Sequence, residues 1–144
     1  MPSLVTERIE SVKSGIVGAG ALAIAELILV LLKVVLIDSL VANSITAITL
    51  DWRLCLHLAI AAVSGFLFGV TYRYIIRNDH NSHLNDGAVL AFGLVRGLAL
   101  IEGNLIVSEL LPLGILVMQS IIGFAIARSI LDLAIKYKLV KPFI

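Results

Sequence analysis

Long apolar runs alternate along the chain with short charged or polar joints, and four of the runs are long enough to cross a bilayer. The first, Ser14 to Ile37, reads SGIVGAGALAIAELILVLLKVVLI. As a helix it reaches roughly 36 Å, enough to cross with some tilt. Upstream, Leu4, Val5, Ile9 and Val12 recur at helical spacing among Glu7, Arg8, Glu10 and Lys13. This pattern predicts an amphipathic lead-in at the membrane surface. The joint DSLVANSITAITLDW reads as a loop. The second run, Leu54 to Tyr72, has Trp52 and Arg53 at one end and Tyr72, Arg73, Tyr74 and Arg77 at the other, the amphipathic anchors expected at two interfaces. After the polar loop NDHNSHLND, a third run extends from about Gly87 to Leu105. Pro112 falls in the first turn of the fourth, Leu110 to Ile130, where its missing N–H does no harm.

Composition turns these runs into membrane spans. With 60% hydrophobic and 15% charged residues and a mean hydropathy of +1.07, the chain has too little polar surface to coat a soluble globule. The expected fold is all-α: one integral membrane domain over 1–144, a four-helix transmembrane bundle with membrane lipids around it. Two glutamates precede the first run, which is longer than a signal-peptide core, so it reads as a retained span. The lone Cys55 reads as a small apolar filler. A net charge of +1, without a basic cluster interleaved with aromatics, argues against a nucleic-acid partner.

With four spans, Arg8, Lys13, Arg73, Arg77, Arg128, Lys136, Lys138 and Lys141 gather on one side, against Lys33 and Arg53 on the other. The positive-inside rule then predicts that both termini and the 78–86 loop face the cytoplasm or its organellar equivalent. In the same topology Glu26 and Arg96 lie inside the first and third spans at similar depth, an intramembrane charge pair. Lys33 shares a helical face with Glu26 and extends a polar seam, and Glu102 is a second charge in the third span. Arg96 and Glu102 offset most of the roughly −3 to −5 kcal/mol that the apolar side chains of this span contribute to insertion, so it is expected to insert poorly alone. Arg128 and Asp132 close the fourth span. Lys33 and Arg128 are the other candidate partners of Glu26, and Glu102 that of Arg96. The pair reads either as a structural clasp or as part of an ion or proton path through Glu26, Arg96 and Glu102.

Small residues four apart allow helix backbones to approach closely: Gly93 and Gly97, Gly65 and Gly69, Ser14 and Gly18, Gly15 and Ala19, and Gly123 and Ala127. The cytoplasmic polar loop carries the one cluster of metal-ligating types: Asp79, His80, His83 and Asp86. Their spacing matches no strong zinc pattern, and a solvated connector is expected, with Asp86 before Gly87 at the start of the third helix. His57, one turn into the second helix, reads as an interfacial histidine. There is no HExxH, GxSxG or phosphate loop. No enzyme activity, no cofactor and no metal are expected.

Over Gly65 to Leu98, Tyr72-Arg73-Tyr74, Arg77 with Asp79, the turn from Asn81 to Leu84, Gly87 leading to Ala91-Phe92, and Arg96-Gly97 resemble an uncharacterised family of small polytopic membrane proteins of cyanobacteria and chloroplasts. The match covers about a quarter of the chain. It implies a cyanobacterial plasma or thylakoid membrane, or a chloroplast membrane, and brings no activity with it. More distantly, Gly65, Phe68, Arg77, Asp79 and Gly87 resemble the signature of the preprotein and amino-acid transporter family. The spacings from Phe68 to Arg77 and from Arg77 to Asp79 are shorter here than in that signature. The expected function is that of a non-enzymatic subunit, scaffold or assembly factor of a membrane protein complex, partnered by a second copy or by other membrane proteins. The alternative is a small oligomeric transporter, channel or translocase component using Glu26 and Arg96.

Overall fold

Ser3 caps the first helix: its hydroxyl accepts the Thr6 N–H at 3.3 Å and its carbonyl the Glu7 N–H at 3.2 Å. From there α1 runs unbroken over Leu4–Leu40. The computed structural model describes residues 3–40, 52–76, 81–103 and 110–143. Within them α2 spans Trp52–Ile75, α3 Ser82–Gly103 and α4 Leu110–Lys136, with no strand among the described residues. All four helices are long and apolar enough to cross a membrane. The chain is thus an all-α four-helix bundle with the build of a multi-pass membrane protein.

The lead-in is the first part of α1 itself, since no residue between Val12 and Gly15 breaks the helix. Its apolar residues Leu4, Val5, Ile9 and Val12 face outward, while Glu10 and Ser11 are buried. At the start of α3, Asn81 takes the capping role expected of Asp86: its Oδ1 accepts the His83 N–H at 3.2 Å. Asp86 lies a turn inside the helix and pairs with Arg128 on α4. The fourth helix continues six residues beyond Ile130, to Lys136.

Helices consecutive in the chain lie antiparallel, as do α1 and α4, while α2 and α4 meet in parallel through Phe68–Phe124 and Tyr72–Asp132. Helix α1 lies along both α2 and α4, α3 lies along α4, and α2 and α3 touch only lightly. Small residues set the two closest approaches. A Cβ at Gly65 would sit 2.8 Å from the Leu22 Cβ, and one at Gly69 3.0 Å from the Ser14 carbonyl carbon. The Ser14 hydroxyl donates across that contact to the Gly69 carbonyl at 2.6 Å. On the other hairpin, a Cβ at Gly93 would meet the Ile121 backbone at 2.8 Å, and one at Gly97 the Val117 backbone at 2.8 Å. Between these seams the core holds Leu22, Phe68, Tyr72, Phe124, Ala127 and Leu131. Phe68 lies 5.4 Å from Phe92 and 5.1 Å from Phe124, edge to face in both cases.

Candidate functional site

Each helix contributes one polar side chain to a common point inside the bundle. Glu26, on α1, is fully buried. Its Oε2 accepts from Gln119 Nε2 of α4 at 3.1 Å and lies 3.4 Å from His57 Nε2 of α2. Its Oε1 lies 3.5 Å from Arg96 Nε of α3. Beyond the pair, Arg96 Nη1 donates to Ser64 Oγ of α2 at 3.4 Å, and Ser64 donates to the Ile60 carbonyl one turn back at 2.8 Å. Antiparallel packing explains the convergence: the registers that set Ser14 against Gly69, Gly97 against Val117 and Leu22 against Gly123 bring these four positions to one level.

Opposite charges so enclosed attract strongly, yet each loses its hydration, and removing one partner costs about 3–5 kcal/mol in comparable buried pairs. Here the hydrogen bonding is incomplete. Glu26 Oε1 and Arg96 Nε face each other as an ion pair at 3.5 Å without forming a hydrogen bond, and Arg96 Nη2 and Ser120 Oγ on α4 are buried with no hydrogen-bond partner. The group joins all four helices, and Arg96 Nη2 is the donor it leaves unsatisfied.

Toward the end of the bundle that carries both termini, an apolar layer follows. One turn from the carboxylate lie Leu22 on α1 and Phe92 on α3, and beside them pack Phe68 and Phe124. A second polar layer lies beyond. The Tyr72 hydroxyl donates to Asp132 Oδ1 at 2.7 Å, and Arg128 bridges Asp86 of α3 and Asp132 of its own helix. Outermost is Arg73, fully buried: Nη2 meets Glu7 Oε2 at 2.5 Å, Nη1 donates to Ser11 Oγ at 2.7 Å, and Nε donates to the Lys141 carbonyl at 2.9 Å. The tail closes over it, with the Phe143 ring 5.6 Å from the guanidinium. The Lys141 N–H donates to Glu10 Oε2 at 3.1 Å.

Glu26 and Arg96 are therefore in contact. Lys33 is exposed and lines an open apolar groove between the outer parts of α1 and α4, with Leu32, Leu36, Leu111 and Ile115. Glu102 is exposed near the end of α3. Arg128 serves Asp86 and Asp132, not Glu26. Of the loop cluster, His83 is exposed at the start of α3, while Asp79 and His80 lie outside the described residues. Among the described residues no three His, Cys, Asp or Glu side chains converge as a metal site would require. Sequence reasoning missed Gln119, His57 and Ser64. A glutamine inside an apolar span is a signal for an interhelical hydrogen bond. For His57, closeness to the helix start suggested the interface, yet the side chain turns inward to Glu26. Compared with protein-family models, with curated proteins and with solved structures, the chain matches none.

Proposed function

We propose that this protein is a non-enzymatic subunit, scaffold or assembly factor of a membrane protein complex, and that Glu26 and Arg96 are its structural clasp. The observation that carries this reading is the layer of Leu22, Phe68, Phe92 and Phe124 between the Glu26 group and the Tyr72–Asp132 group. A conducting route needs polar or wet continuity, whereas polar groups isolated by packed aromatics act as ties between helices. The clasp also answers the weak insertion of α3, because Arg96 enters the bilayer against a carboxylate. Along its other side α3 leaves Leu94, Val95 and Leu98 uncovered, a surface available to a second copy or another membrane protein. In keeping with the charge asymmetry and the resemblance, both termini would face the cytoplasm or stroma of a cyanobacterial or chloroplast membrane.

The test is extraction of the native protein in mild detergent, followed by native electrophoresis and identification of what co-migrates. Migration in an assembly larger than the 15.4 kDa chain is expected; migration only as a monomer would contradict the reading. The incompletely hydrogen-bonded Glu26–Arg96 pair beside His57 favours a second reading, a small oligomeric transporter, channel or translocase component. It requires purified protein in liposomes to pass ions or small solutes above empty vesicles, and Glu26→Gln to abolish that flux while stability is kept.

A further inference from the structure

Helices α1 and α4 part company at Glu26. There they are close: a Cβ at Gly123 would sit 3.2 Å from Leu22 Cδ1, and Gln119 Nε2 lies 3.1 Å from the Glu26 carboxylate. Toward the end of the bundle away from both termini, a groove of about 920 Å³ opens between them. Leu29, Leu32 and Leu36 form one wall, and Leu111, Ile115 and Met118 the other. From Leu111 to Ile122 it runs roughly 16 Å at helical rise, about the hydrocarbon depth of one leaflet. At its mouth stands Lys33, exposed, the one charged side chain among the described residues that line it. No acidic side chain among the described residues pairs with this lysine. Its height follows from the packing. Because Glu26 meets His57, the antiparallel register brings Val30 level with Arg53 and Leu31 level with Trp52. Lys33 is about 3 Å further out, in the headgroup layer that tryptophan anchors mark. Any lipid could fill the apolar walls. The unmatched lysine selects among lipids, because a headgroup of net negative charge neutralises it, whereas a zwitterionic one brings a cation of its own.

From these features we infer that the groove between α1 and α4 binds a phospholipid of net negative charge. Its acyl chains lie between the two helices and its phosphate meets the Lys33 ammonium. The lipid belongs to the leaflet on the side away from the termini. The site uses neither Glu26 nor Arg96 and stands apart from the scaffold and transport readings.

A fluorophore on the groove wall reads which lipid fills it. Met118→Trp in a full chain that also carries Trp52→Phe leaves a single tryptophan there. The protein is reconstituted in vesicles mixing phosphatidylcholine with phosphatidylglycerol, one of which has brominated chains that quench the tryptophan on contact. Phosphatidylglycerol is expected to be held about fivefold more tightly, the advantage one lysine gives at an anionic headgroup. Lys33→Gln should bring the ratio to one, and Lys33→Arg should keep it. With the tryptophan moved to Val63, exposed on α2 outside the groove, no preference is expected. Equal hold on both lipids at position 118, a preference that survives Lys33→Gln, or the same preference at position 63 would overturn the proposal. A second measurement does without the tryptophan variants: native mass spectrometry of the chain in mixed micelles of both lipids. Phosphatidylglycerol adducts should exceed phosphatidylcholine adducts, and the excess should fall in Lys33→Gln; an unchanged excess would overturn the site.

Discussion

Arg73 uses its guanidinium fork on two separate stretches of chain: Glu7 and Ser11 of α1, and the tail, through the Lys141 carbonyl and the Phe143 ring. In the sequence it reads as one of several interfacial anchors, because backbone carbonyls leave no trace in residue identity. Arg73→Gln is expected to cost about 3 kcal/mol, since the Glu7 carboxylate and the Glu7 and Lys141 carbonyls lose their donor. Arg73→Lys should recover only part of this, as one ammonium cannot face all three. Thermal unfolding in detergent, with protease sensitivity of residues 137–143, measures both effects; an Arg73→Gln protein with wild-type stability and a protected tail would refute this role. A smaller effect belongs to Lys138, where φ is 58° at the end of α4. There the Leu139 N–H returns to the Ala134 carbonyl at 2.9 Å, and the next residue, Val140, is buried, a helix stop that ordinarily uses glycine. Lys138→Gly should raise stability by about 0.5–1 kcal/mol. A loss on the same unfolding assay would show that the lysine side chain matters more than the backbone.

At the scale of the helices, the spans were legible and their partners were not. Hydropathy and anchors such as Trp52 and Tyr72 locate each helix because transfer into hydrocarbon is decided one segment at a time. Packing is decided by pairs. Glycines four apart recur in several helices, and nothing in the sequence says that Gly65 and Gly69 face Ser14 and Gly18 while Gly93 and Gly97 face Ile121 and Val117. The difference is testable with one substitution type. Gly65→Ala places a Cβ 2.8 Å from the Leu22 Cβ and against the Gly18 backbone, and should destabilise by about 1–3 kcal/mol. Gly20→Ala meets nothing within 4 Å and should be neutral or stabilising by up to about 1 kcal/mol. Equal effects at both positions would mean that α1 and α2 do not pack through this seam.

For the whole molecule, the charge asymmetry predicts an orientation that labelling can test. With Cys55 replaced, Ser82→Cys should react with an impermeant thiol reagent only from the cytoplasmic side, and Ser44→Cys, outside the described residues, only from the other; labelling of both from one face would contradict the four-span topology. The site was partly legible at this scale. Matching depths of Glu26 and Arg96 follow from alternating topology alone, whereas the rotation that turns His57 and Gln119 toward the same carboxylate depends on packing that no single segment encodes. What holds the bundle around that carboxylate is tested most directly by a double-mutant cycle on thermal stability with Glu26→Gln, Arg96→Gln and the double variant. Each single change leaves a buried charge without its counter-ion and should destabilise by several kcal/mol. The double variant should recover much of the loss, with a coupling of about 0.5–3 kcal/mol. Strict additivity would contradict a Glu26–Arg96 clasp and the structural role built on it.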